Sequence, residues 1–217
     1  MRADAFVSKN DIQAKTRRWL RRIYSGLHPR DHLVLVPEKC TLLIIDMVGY
    51  FASPEGRACL PSAEAIIPGI RTLLDLWRKR NGQVVFTRHC HREGEPLGML
   101  GRFFSDHIRC GESQSRIISR LRPLPEEKVI RKNTYDAFFG TDLEEFLEEH
   151  CQSQLLISGV LTQLCCETTA RSGFVRGFEI FAAADALTTS TEDLHLASLM
   201  SLASGFALVT DVKSICR

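Results

Sequence analysis

A carboxylate, an amine and a thiol fall at equivalent places in three separate stretches of the sequence. Asp46 directly follows the apolar run Thr41-Leu42-Leu43-Ile44-Ile45, and Lys132 follows Val129-Ile130-Arg131. Cys165 lies past Leu155-Leu156-Ile157-Ser158, where a helix is expected to begin. Together these three types can perform nucleophilic catalysis. A thiolate attacks far better than a thiol, and a helix N-terminus is expected to lower a cysteine pKa through its partial positive charge. On that basis Cys165 is expected to be alkylated faster than any other cysteine near neutral pH. A nearby carboxylate can take the thiol proton and return it to a leaving amine. A lysine between two groups that both tend to be anionic offsets their repulsion. Backbone N–H groups at the helix start can stabilise a tetrahedral oxyanion.

The elements that must position these groups alternate in kind. Residues 41–45 form a continuous apolar run, as expected of a strand buried on both faces. Ser62 is a plausible N-cap for a helix carrying Ile66, Ile67, Ile70, Leu73, Leu74 and Trp77 on one stripe, which Asn81-Gly82 ends. Strands are expected at 83–87, 128–131, 154–158, 179–182 and 207–210, with helices at 142–149, 167–176 and 194–204 and a short one after Asp211. Strands alternating with helices imply an α/β fold: a mostly parallel central sheet flanked by helices on both faces, a three-layer, Rossmann-like arrangement. In such sheets ligands bind beyond the carboxyl ends of the strands, where Asp46, Lys132 and Cys165 are expected. The segment 88–125 is irregular, with Gly94, Gly98, Gly101 and Gly111 breaking any periodicity.

With 217 residues the chain is long enough for one well-buried core and short for two ordinary domains. A formal net charge of +2 gives no electrostatic reason to expect nucleic acid. Lys15, Arg17, Arg18, Arg21 and Arg22 cluster in a helix expected over 11–27, and they read as its solvated face. No apolar run approaches the ~20 residues of a membrane-spanning helix, and no apolar stretch follows the first methionine as a signal peptide requires. The eight cysteines are therefore expected to be reduced thiols of a cytoplasmic protein. No CxxC pair occurs, which disfavours a zinc ribbon. Gly159 stands without a second phosphate-loop glycine, so there is no nucleotide fingerprint.

Three blocks resemble those of the isochorismatase-like cysteine hydrolases. They are Leu43-Ile44-Ile45-Asp46-Met47; Lys132-Asn133-Thr134-Tyr135-Asp136-Ala137-Phe138-Phe139-Gly140-Thr141-Asp142-Leu143; and Gly159-Val160-Leu161-Thr162-Gln163-Leu164-Cys165-Cys166-Glu167-Thr168-Thr169-Ala170-Arg171. Each block is weak alone, but all three in order are specific. The resemblance divides the chain into an N-terminal helical extension, 1–30, and a hydrolase domain, 38–217. It implies a catalytic triad of Asp46, Lys132 and Cys165, a cis peptide between Val160 and Leu161, and an oxyanion site made by the backbone N–H groups of Leu161 and Cys165. Cys166 occupies a position where the family commonly carries an aliphatic residue, and is expected to be packing.

Phe51, His89 and Phe138 are candidates for the pocket wall, although the two phenylalanines could equally be core. His89 and His91, with a cysteine between them, are able to bind metal. The pattern of metal-using nicotinamidases of the family, an aspartate and two histidines at longer spacing, is absent because Arg88 stands where the aspartate would help. No metal and no other cofactor is expected. The expected activity is hydrolysis of a small amide, carbamoyl or related C–N bond through an acyl-cysteine intermediate. Two alternatives stay open: true isochorismatase, whose vinyl ether chemistry uses the aspartate as acid and dispenses with the cysteine, and an idle member that serves as a binding subunit. Relatives commonly form dimers or tetramers, so a homo-oligomer is expected. The apolar residues Ile12, Trp19, Leu20 and Ile23 of the extension either pack on their own subunit or reach onto a neighbour.

Overall fold

The computed structural model describes residues 3–217. In chain order it comprises α1 (Ile12–Tyr24), β1 (Cys40–Ile45), α2 (Gly49–Ala52), α3 (Ala63–Lys79), β2 (Val84–His89), α4 (Leu100–Phe103), β3 (Lys128–Lys132), α5 (Leu143–Glu149), β4 (Gln154–Val160), α6 (Glu167–Val175), β5 (Glu179–Thr188), α7 (Glu192–Gly205), β6 (Leu208–Thr210) and α8 (Val212–Ile215). The six strands form one sheet in the order β3-β2-β1-β4-β5-β6, and every neighbouring pair is parallel. Parallel neighbours require crossovers, and the helices that make them cover the sheet: α3 packs with α8, and α6 with α7. Every residue of β1 and β4 is buried, which is why both read as unbroken apolar runs.

The strand order reverses between β1 and β4. On one side the chain steps outward through β2 and β3, and on the other through β5 and β6. Connections leaving β1 and β4 diverge there and open a crevice at the carboxyl ends of the strands. The two strands come unusually close at that point, because Gly159 pairs with Ile45. Gly159 has φ +107°, and a Cβ on it would lie 2.0 Å from the Ile45 carbonyl oxygen. Only glycine fits.

Two elements exceed their sequence signal. β5 continues to Thr188, although Asp185 interrupts the apolar run. The buried Asp185 carboxylate is satisfied by the Val212 N–H at 2.8 Å and the Gln13 side chain at 3.0 Å, so the strand carries it without breaking. α7 starts at Glu192 rather than 194, since the Thr191 hydroxyl accepts from the Leu194 N–H and acidic residues fill the first turn. Ser62 does precede α3, but its side chain caps nothing. Its hydroxyl accepts from the Val7 N–H at 3.3 Å and donates to the Asp4 carbonyl at 3.2 Å, tying the N-terminal segment to the fold.

α1 packs on its own chain. Ile12, Trp19 and Ile23 are buried in the main core, and Leu20 is half-buried against it. The Trp19 indole N–H and the Lys15 ammonium both reach Glu192 of α7, at 2.8 and 2.7 Å. The Tyr24 hydroxyl donates to the Val209 carbonyl and accepts from its N–H. The apolar face of α1 is thereby placed against its own chain, the first of the two alternatives that its sequence left open. One correction concerns the thiols: Cys90 and Cys110 form a disulfide, while the other six cysteines are free. Among the described residues no helix is long and apolar enough to cross a membrane.

Candidate active site

Asp46, Lys132 and Cys165 meet at the crevice. Asp46 follows the last residue of β1, fully buried and in left-handed backbone geometry, φ +49°. Lys132 ends β3 with its side chain equally buried. Its ammonium lies 2.6 Å from Asp46 Oδ2 and donates to Cys165 Sγ at 3.3 Å and to the Thr134 carbonyl at 2.9 Å. All three of its donor directions are occupied.

Cys165 sits in a single π-helical turn, Thr162–Cys166, that leads into α6. Such turns are rare and are often found at functional sites. The Leu161 carbonyl accepts from both Leu164 N–H and Cys166 N–H, which tightens the turn around Cys165. α7 holds it from outside: Thr162 Oγ1 pairs with His195 Nδ1 at 2.9 Å, and Ser198 donates to the Thr162 carbonyl at 3.2 Å. The peptide bond between Val160 and Leu161, just ahead of the turn, is cis.

Burial and pairing oppose each other in all three groups. Burial pushes Asp46 up, but the Lys132 ammonium and then His89 outweigh it and hold the carboxyl below its ordinary value. Burial pulls Lys132 down, while Asp46 and then Cys165 raise it above the ordinary lysine value. Burial dominates at Cys165. The thiol is pushed up to about 12, with Lys132 lowering it and Asp46 raising it. The helix terminus was expected to lower this thiol, whereas burial pushes it up. The resting site is a carboxylate–ammonium pair facing a neutral thiol. Cys166 is completely buried, which pushes its thiol well above the ordinary value, as suits a packing residue.

Of the three, Cys165 opens into a cavity of about 590 Å³, which Leu161, Phe51 and His89 also help to line, while Asp46 and Lys132 lie behind it. Phe138 is not part of it. Its ring stacks on Phe178 at 5.8 Å with the Arg176 guanidinium 4.8 Å above it, so it belongs to the core beneath the 133–142 loop. Asp136 docks the same loop by accepting from the Ser172 hydroxyl at 2.7 Å.

The irregular segment supplies lining residues that sequence reasoning missed, including Phe104, Asp106 and His107. Arg57 secures this wall through Asp106 at 2.8 Å and Glu112 at 2.7 Å, and Tyr50 donates to Asp106 at 3.0 Å. Their partners lie some 50 residues apart, and no local pattern signals such pairs. Thr87 was missed too. It accepts from the Asp46 N–H at 3.2 Å and donates to Asp46 Oδ1 at 2.7 Å, yet in sequence it is an ordinary β-branched strand residue.

The histidines are neutral. Burial and then Lys132 hold His89 down to about 4, and its Nδ1 lies 3.3 Å from the Thr134 carbonyl. His91 packs edge-on against it, ring centroids 5.3 Å apart, and neither of its ring nitrogens has a hydrogen-bond partner among the described residues. No group of three or more His, Cys, Asp or Glu among the described residues is placed to hold a metal ion.

A family model described as the isochorismatase domain matches residues 40–214. The chain is 40% identical to Nicotinamidase 3 of Arabidopsis thaliana, over 81% of this chain and 86% of that one. It is 34% identical to enterobactin synthase component B of Escherichia coli, over 81% of this chain and 62% of that one. A crystal structure of a cysteine hydrolase from Pseudomonas syringae superposes with a TM-score of 0.83, covering 87% of this chain and 95% of that one at 24% identity, a likeness of fold. With the family model spanning most of the sequence, and a parallel sheet whose switch point gathers an aspartate, a lysine and a cysteine, the chain belongs to the isochorismatase-like hydrolases.

Proposed function

We propose that the protein hydrolyses a small amide, carbamoyl or related C–N bond through an acyl-cysteine intermediate. One observation carries this reading: a single buried ammonium, Lys132, contacts both Asp46 Oδ2 and the sulfur of Cys165, the member of the three that lines the cavity. The likeness to Nicotinamidase 3 supports an amide as the bond cleaved. As the substrate carbonyl arrives, the Cys165 proton passes to Asp46, and the sulfur attacks the carbonyl carbon. The negative charge that develops on the carbonyl oxygen is met by the backbone N–H groups of Leu161 and Cys165. The second of these belongs to the first turn of a helical segment, where N–H groups lack intrahelical acceptors. Asp46 then hands its proton to the leaving nitrogen, and the C–N bond breaks to leave a thioester. Water, deprotonated by Asp46, attacks the thioester carbon; the acid leaves and the proton returns to sulfur. Lys132 stays protonated throughout and keeps Asp46 ionised between transfers.

Vinyl ether hydrolysis, the isochorismatase alternative, has no use for a nucleophilic thiol, and the position of Cys165 against the cavity weighs against it. The test is ammonia release over a panel of small carboxamides and carbamoyl compounds. The wild type is expected to turn over at least one of them, with Cys165→Ala slower by three orders of magnitude or more. Equal rates in the two proteins would refute the cysteine mechanism, and a panel with no turnover would refute the substrate class.

A further inference from the structure

β2 lies between β1 and β3, the strands that bring Asp46 and Lys132 to the crevice. The one β2 side chain that touches Asp46 by hydrogen bonds is Thr87, and it does so twice. Its hydroxyl accepts from the Asp46 N–H at 3.2 Å and donates to Oδ1 at 2.7 Å. Both residues are fully buried, so neither bond has water as a substitute. The backbone at Asp46 is left-handed, φ +49°, a region that non-glycine residues seldom occupy. One hydroxyl thus fixes both the backbone and the carboxylate plane of the same strained residue.

We propose that Thr87 is a positioning residue for the proposed reaction: by occupying Asp46 Oδ1 it leaves Oδ2, the oxygen on the Lys132 side, as the atom that takes the proton of Cys165. The inference rests on the Asp46–Lys132–Cys165 reading and goes one step beyond it. Oδ2 is 2.6 Å from the ammonium, which itself lies 3.3 Å from Sγ, so one cation links this oxygen to the sulfur. A carboxylate free to rotate would present either oxygen to the thiol, and Lys132 alone does not choose between them. The other groups facing Asp46 do not choose either. His89, from β2, is neutral above about 4, and Cys165 and Cys166, from the π-helical turn, are neutral thiols. Thr87 is not part of the cavity wall, so it has no access to substrate.

The test removes the hydroxyl in two steric settings, by comparing wild type with Thr87→Val and Thr87→Ser with Thr87→Ala, each in the full chain and with folding checked by circular dichroism. Two rates are followed: alkylation of Cys165 by iodoacetamide at pH 7, resolved by mass spectrometry, and turnover of whichever amide the wild type hydrolyses. Each hydroxyl deletion is expected to slow Cys165 alkylation and kcat tenfold or more with KM within about twofold, while Thr87→Ser stays within about threefold of wild type. If Thr87→Ala and Thr87→Ser fall equally, the residue is only packing and the inference is overturned. If Val or Ala disturbs folding, the Ser rescue decides alone: a Thr87→Ser protein as slow as Asp46→Asn overturns the proposal. Asp46→Asn also separates the two claims. Unchanged alkylation and turnover there would sink the triad reading itself, whereas loss in Asp46→Asn without loss on hydroxyl deletion sinks only the role of Thr87.

Discussion

The two halves of the cavity are built on different principles. Its floor is Cys165 with the strand ends that lie directly behind it. Asp46, Lys132 and Cys165 project from β1, β3 and the turn after β4, buried and fixed by an ion pair and hydrogen bonds of 2.6 to 3.3 Å. Its wall comes largely from the segment 50–60 and the irregular stretch 90–121, the latter with only one-turn helical pieces and little sheet pairing. That wall is secured by cross-links instead. The Cys90–Cys110 disulfide closes a loop with sequence separation 20, and backbone bonds run from His91 to Ile108 and from Cys110 to His91. Farther along, Gly49 N–H reaches the Arg116 carbonyl and Ile118 N–H reaches the Met47 carbonyl. Chemistry that needs sub-ångström placement rests on the sheet. Shape that selects a substrate rests on a segment whose sequence can change without disturbing the strands.

If that division is right, breaking the floor should abolish the reaction and cost folding together. Lys132→Met is expected to have the largest effect. It removes the ammonium while Asp46 stays buried, an uncompensated charge whose burial costs about 3–5 kcal/mol. The proton acceptor would then be held neutral by desolvation, so turnover should fall by three orders of magnitude or more. Urea denaturation and an ammonia assay on the same preparation read both effects. A Lys132→Met protein that keeps its stability would show that the pair contributes nothing to the fold.

Breaking the wall should do less. Cys110→Ser opens the disulfide and returns conformational freedom to the loop that carries Leu100, Phe104, Asp106 and His107 to the cavity. Closing a loop of that length is worth about 3 kcal/mol in the chain-entropy view, but its one bond to the triad is between backbones, from Cys90 N–H to the Lys132 carbonyl. KM is expected to rise severalfold with kcat within about twofold. A dithiol reductant should reproduce the change in wild type and leave Cys110→Ser unaffected. If kcat falls as much as it does when the floor is altered, floor and wall are not independent.

The same division explains what the sequence disclosed. Asp46 and Lys132 follow apolar runs and Cys165 lies a few residues past one, at an edge where a parallel sheet gathers such ends, but it was the resemblance of three blocks to a known family that singled them out. The six-stranded parallel sheet followed from the alternation of those runs with helical stripes. The wall was illegible because its contacts are remote in sequence: Arg57 with Asp106, Tyr50 with Asp106, Cys90 with Cys110. Phe138 was ambiguous for the complementary reason, since a buried aromatic in a loop has the same local pattern whether it faces a cavity or the core. The ionisation of Cys165 was misread because helix polarity is visible in sequence and the depth of burial is not.

The smallest expected effect lies on the floor and behind it, and it is a matter of pH. His89, half-buried at the cavity wall, and His195, fully buried beneath the π-helical turn, are each held down to about 4 from an ordinary value of 6.5 by desolvation. Between those values the unfolded chain binds protons that the folded chain refuses, so stability is present in full above about 6.5 and declines as the pH falls toward 4. From pH 7 to about 5.5 each histidine should cost about 1 kcal/mol. Asp46 adds nothing in that window, because its carboxyl is held below 3.8 and its contribution is lost only as the pH falls through the folded value. Urea denaturation of the wild type at the two pH values should show the summed decline, and His195→Gln should show about half of it. Turnover per folded molecule should stay level over the same range, since the Asp46–Lys132 pair does not titrate there. A wild type equally stable at both pH values would mean that neither imidazole is as desolvated as its surroundings imply. A loss of turnover without a loss of stability would instead place a titrating group in the floor itself.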